Sequence, residues 1–147
     1  MPIALVLLLL GLLLIQVPAA QEPPAATPAP KPTTMKELMV DLIYPASDAL
    51  FYVDSDDVKT AVEWNRLSER ALALSQAALA LTMPGQAWGG NSDQWKADAK
   101  LLLDVALKAY RGAKAKNLEA ITALNADLYE SCQSCHVHYR PGYRRRP

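Results

Sequence analysis

Residues 118–139 read LEAITALNADLYESCQSCHVHY. Leu118, Ile121, Leu124, Leu128, Cys132 and Cys135 recur there at steps of three and four, which draws one apolar stripe along a helix. Asn117 stands just ahead of it as a cap. The stripe runs into Cys132-Gln133-Ser134-Cys135-His136, a C-x-x-C-H motif. Residues at i, i+3 and i+4 share a helical face, so Cys132, Cys135 and His136 point the same way.

Upstream, the same period recurs three times. Met35, Leu38, Met39, Leu42, Ile43, Ala46, Ala49, Leu50 and Val53 form a first stripe. Pro45 lies inside it and predicts a bend or break near Ile43, with Ser47 and Asp48 able to cap a restart. Ser55, Asp56 and Asp57 predict the start of a second helix that runs through Val58, Val62, Leu67, Leu74 and Leu81. Pro84-Gly85 ends it, and Gly89-Gly90 continues the loop. Asn91 or Ser92 caps a third helix carrying Trp95, Leu102, Val105, Ala106 and Ala109. No run of β-branched residues and no hairpin turn signal interrupts this order. The expectation is an all-α chain, an antiparallel four-helix bundle with short loops.

The N-terminal quarter is different. Residues 3–15 are apolar except for Gly11, and Pro18-Ala19-Ala20 supplies small residues after the run. This predicts a signal peptide over residues 1–20; the alternative is an uncleaved N-terminal anchor. The run is shorter than the roughly 20 apolar residues a spanning helix needs, and both readings imply export. Residues 21–34, QEPPAATPAPKPTT, read as an extended Pro/Ala-rich linker. Residues 35–147 are then the bundle with its basic tail.

The composition narrows the function. The chain has 147 residues, 51% of them hydrophobic, with 15 basic and 15 acidic side chains. An intrinsically disordered chain would be poorer in apolar residues. A broad nucleic-acid footprint would need an excess of Lys and Arg, so no nucleic-acid partner is expected. The neutrality is a cancellation: residues 36–70 hold eight acidic and four basic side chains, and residues 140–147 hold four Arg. With 2 Cys the chain is no disulfide-stapled miniprotein. Asp54, Asp56 and Asp57 read as helix-cap chemistry rather than a catalytic pair, and no enzyme activity is expected.

C-x-x-C-H is the attachment pattern of c-type haem. Two thiols can add to the two vinyl groups, and the adjoining imidazole then reaches the iron. Three rivals stand beside it. A thioredoxin-like pair sits at the start of a helix beside a sheet, whereas this motif closes a helix. A structural zinc would use Cys132, Cys135, His136 and His138, crowded within seven residues. A disulfide at i, i+3 would distort the helix. Export favours haem, because c-type attachment takes place outside the cytoplasm.

Four helices with C-x-x-C-H near the C-terminus resemble the class II c-type cytochromes, the cytochrome c-prime family, over about Met35 to Tyr143. The resemblance implies a periplasmic protein with one covalent haem c per chain, Cys132 and Cys135 as its thioether anchors and His136 as proximal iron ligand. It also implies homodimers formed through the first two helices, an unidentified redox partner protein, and a membrane only if the leader is kept. In low-spin members a Met of the first helix binds the iron opposite the His. Met39 is the expected distal ligand here, Met35 the second choice and Met83 a remote third; plain core filling is the alternative for each. The function so implied is a single-electron carrier with His/Met-ligated iron. One alternative is a five-coordinate cytochrome that binds small gases such as NO or CO. Another is a haem-free helical bundle that binds metal or thiols. Lys36 is the basic residue nearest the first-helix ligand, and Pro45 departs from the familiar members.

Other side chains receive lesser roles. His138 is expected to face solvent, about 200° round the helix from His136. Tyr139 is placed to cover a haem edge. Arg140, with Arg144, Arg145 and Arg146, reads as a solvated tail, a contact to a haem propionate or a docking patch for a redox partner. Trp64, Trp88 and Trp95 read as packing groups.

Overall fold

Thr34 caps the first described helix reciprocally. Its hydroxyl accepts from the Glu37 N–H at 3.2 Å, and the Glu37 carboxylate accepts from the Thr34 N–H at 3.1 Å. The structure is a computed structural model that describes residues 34–54, 58–83, 92–140 and 142–143. The leader, the linker up to residue 33, Ser55 to Asp57, the loop with Pro84, Gly85 and Trp88, and Arg144 to Arg146 lie outside the described residues. The described residues form four helical rods, with no strand among them.

The first rod, α1 (residues 35–51), joins Met35–Glu37, a π-helical stretch Leu38–Ile43 and the α-helix Tyr44–Phe51. No break occurs at Pro45. In α geometry its ring would meet the Asp41 carbonyl, but the wider π turns move that carbonyl aside. The Tyr44 N–H reaches back to the Met39 carbonyl, one residue further than in an α-helix. Ser47 does not restart the helix; its hydroxyl donates to the Tyr44 carbonyl at 3.0 Å.

The second rod, α2 (Ala61–Leu81), begins at Thr60, not at Ser55 to Asp57. Thr60 and Glu63 repeat the reciprocal cap, with the Thr60 N–H donating to Glu63 at 2.7 Å. The third, α3 (Asp93–Lys114), is capped by Ser92, whose hydroxyl accepts from the Trp95 N–H at 3.1 Å. The fourth, α4 (residues 118–139), is capped by Asn117 and comprises Leu118–Thr122 and Asn125–Tyr139, with a turn at Ala123 and Leu124.

Side-chain bridges fix the directions. Gly112 lies against Ile121, Lys108 pairs with Asp127 at 3.5 Å, and Asp98 meets Ser134, so α3 and α4 run antiparallel. Asn125 of α4 donates to the Phe51 carbonyl at the end of α1 at 3.3 Å. The Trp95 indole donates to the Leu81 carbonyl at 2.7 Å, joining the end of α2 to the start of α3. α3 therefore packs antiparallel on α4, and α2 hands on to α3 at the Leu81–Trp95 end. Ala71, Ala77 and Ala78 of α2 and Ala99, Ala106 and Ala109 of α3 are buried, and these small side chains let the two rods approach closely. Trp64 and Trp95 are buried packing groups. Among the described residues no helix is long and apolar enough to cross a membrane.

Candidate functional site

α1, from Met35 to Phe51, and the last turns of α4 stand on two sides of one opening. They leave a cleft of about 810 Å³, backed by α3. Cofactor pockets run from about 300 to 1,000 Å³, so a large flat ligand is within its capacity. Cys132, Cys135 and His136 line it from α4, as the i, i+3, i+4 spacing requires. Met35 and Met39 line it from α1. The π-helical winding carries Met39, and both methionines are half-buried against the core. Met83 is exposed and does not line the cleft.

The ionisable groups are set by burial. Burial pushes both thiols up: Cys132 by burial alone against a weak pull from Ser131, Cys135 to about 11 by burial, then the Asp98 carboxylate and Cys132. Burial, with the Arg140 charge adding, holds His136 below the usual imidazole value. Its ring therefore stays neutral at neutral pH and keeps a nitrogen lone pair for a metal. Lys36 and Arg140, both exposed, line the same cleft from α1 and from the end of α4.

Aromatic rings dress this end of the bundle. Tyr139 stands edge-on to Trp95, with centroids 4.8 Å apart, and its hydroxyl is 3.3 Å from the Ser92 hydroxyl. Tyr143 stands edge-on to His136 with centroids 5.6 Å apart. It is brought there by a turn in which the Tyr143 N–H donates to the Arg140 carbonyl and Gly142 takes φ +77°. Gly supplies that left-handed position without strain. The Arg140 guanidinium lies 6.0 Å from the Tyr143 ring centre. The Pro141-Gly142 pair is the sequence signal for this turn.

Asp98, to which no motif of the sequence points, also lines the cleft. Its side chain is 1% exposed and accepts from the Ser134 hydroxyl at 2.5 Å and from Gln94 at 3.0 Å. His138 Nδ1 lies 2.9 Å from the second carboxylate oxygen. His138 is thus not a free solvent-facing ring: part of it is exposed, and the rest turns towards α3. Burial works to raise the Asp98 carboxyl, but the hydrogen bonds from Ser134, His138 and Gln94 together outweigh it and hold the group below its ordinary value. The carboxylate stands between the hydroxyl and the imidazole, so the imidazole is not placed to take the Ser134 proton as in a nucleophilic triad. The available signal was a carboxylate on the apolar face of α3, one turn from Trp95 and Leu102.

Among the described residues no group of three His, Cys, Asp or Glu side chains stands close enough to hold a bare metal ion. His138 is engaged by Asp98 rather than joined to Cys132, Cys135 and His136. The donor set fits an iron carried by a large apolar ring better than a bare ion. Two thiols and an imidazole lie on one wall, two thioethers lie on another, and two cations are available for acidic substituents. No protein-family model, no curated protein and no solved structure matches the chain.

Proposed function

We propose that this chain is an exported monohaem c-type cytochrome that carries single electrons in the periplasm, similar to the class II or c-prime cytochromes. One observation carries the reading. The C-x-x-C-H triple of α4 and Met39 of α1 line a single cleft of cofactor size.

When bound, a haem supplies an iron that accepts and releases one electron. The chain's own residues do the rest. Cys132 and Cys135 would hold the ring through thioether bonds, so loss of the cofactor by dissociation is prevented. His136, kept neutral by burial, would bind the iron through its ring nitrogen. Met39 offers a thioether from α1, with Met35 as the second choice. Lys36 and Arg140 would pair with the ring's acidic groups. Ile43, Leu81 and Leu102 line the cleft with apolar surface and would keep water from a bound ring, which would limit the reorganisation that accompanies a change of charge.

The test is the visible spectrum of the purified protein. The His/Met carrier predicts a low-spin ferric spectrum with the weak long-wavelength band of thioether-ligated haem. A high-spin spectrum that responds to NO or CO would replace it with the five-coordinate gas-binding reading. Absence of covalent haem by pyridine haemochrome assay would leave a haem-free bundle.

A further inference from the structure

Asp98 is the carboxylate that packing does not explain. Its neighbours on the same face of α3 are Trp95, Ala99 and Leu102, all buried. Withdrawing a charge from water costs several kcal/mol, and apolar replacements of buried ionic groups are often neutral or stabilising. An apolar side chain would therefore serve the core as well.

The partners of Asp98 point to the attachment motif. Ser134 lies inside C-x-x-C-H, and His138 lies two residues after His136. Bonds of 2.5 Å to the first and 2.9 Å to the second let one carboxylate grip both flanks of Cys135-His136. Gln94, one turn earlier on α3, supplies a third bond at 3.0 Å. Asp98 also lines the cleft itself.

We propose that Asp98 is a positioning residue that sets the reduction potential of the bound haem, by holding a fixed negative charge behind the attachment helix. The inference rests on the haem reading above. Oxidised iron carries one more positive charge than reduced iron, so a nearby anion stabilises the oxidised state. Lys36 and Arg140 face the same cleft, but both are exposed and water screens them. Asp98 is withdrawn from water and keeps its influence.

The test compares reduction potentials of the purified holoprotein and two variants at one pH, with thermal melting alongside. Asp98→Asn keeps the shape and the acceptor for Ser134 and removes the charge. It raises the potential, by roughly tenfold in the reduced-to-oxidised ratio, or about 59 mV for one electron. Gln94→Leu, at an exposed position, keeps the charge and removes one neutralising donor, and it lowers the potential about twofold in the same ratio. An unchanged or lowered potential in Asp98→Asn overturns the proposal. So does a rise in both variants, which would mark a loosened helix and not a charge. If Asp98→Asn does not accumulate with haem, an unchanged potential in Gln94→Leu overturns it alone. A wild-type protein without covalent haem overturns the proposed function first, and this inference with it.

Discussion

Burial lifts the Cys135 thiol to about 11, and the neighbouring Asp98 charge and Cys132 add to the effect. Dithiols that exchange electrons through disulfides lower a thiol pKa to gain thiolate. In the haem-free chain at pH 8, alkylation of Cys135 by iodoacetamide should therefore be slow and should accelerate as pH rises towards 11. The sign for stability follows. The unfolded thiol loses its proton near its ordinary value of 9.0 and the folded one near 11, so the unfolded chain is favoured as pH rises through that window. Melting of the haem-free chain from pH 8 to pH 11 checks this, and a melting temperature that rises over that range would contradict it. At the distal wall, Met39→Ala is expected to abolish the long-wavelength thioether band of the ferric holoprotein, while Met35→Ala leaves it; the reverse result would assign the ligand to Met35. The three residues of C-x-x-C-H were legible because their chemistry and spacing are local. Asp98 was not, because its meaning lies in Ser134 and His138 on another helix. Tyr143 was missed for a similar reason: a turn at Gly142 folds it back on to His136.

At the scale of elements, the two reciprocal caps were readable as T-x-x-E, at Thr34 to Glu37 and at Thr60 to Glu63. The Asp-rich stretch at Ser55 to Asp57 drew the second helix start away from Thr60. The π turn ahead of Pro45 was not readable, because a Pro signals trouble in the ladder but not how the preceding turn absorbs it. The corner between α3 and α4 tests the packing. Lys116 adopts φ 54°, with its N–H bonded to the Ala113 carbonyl and the Asn117 N–H to the Gly112 carbonyl. This is a Schellman end with a residue other than Gly at the left-handed position. Lys116→Gly is expected to raise the unfolding free energy by about 1 kcal/mol in a denaturant titration. Gly112 beside it lies so close to Ile121 that a Cβ would meet Ile121 Cγ1 at 2.8 Å. Ile121 is 1% exposed and has little room to yield, so Gly112→Ala should cost about 1–3 kcal/mol in the same titration.

For the whole molecule, helical periodicity was sufficient for an all-helical chain, and the connections, residues 52–60, 82–92 and 115–117, are short beside the helices they join. The cleft was less visible. It lies between α1 and the end of α4, and so depends on how four rods meet and not on any one stripe. An Ala- and Leu-rich core closes the other parts of the bundle, and the opening where both Cys, His136 and Met39 converge is also lined by Phe51, the one Phe of the chain. The central claim is that this opening holds haem through Cys132 and Cys135. The most direct measurement is intact mass of the denatured protein together with a pyridine haemochrome spectrum, after expression in a host that matures c-type cytochromes. One haem is expected to stay with the chain under denaturation, and to be lost from the double variant Cys132→Ser with Cys135→Ser. A chain that carries no haem mass after export, with both thiols free, would contradict it.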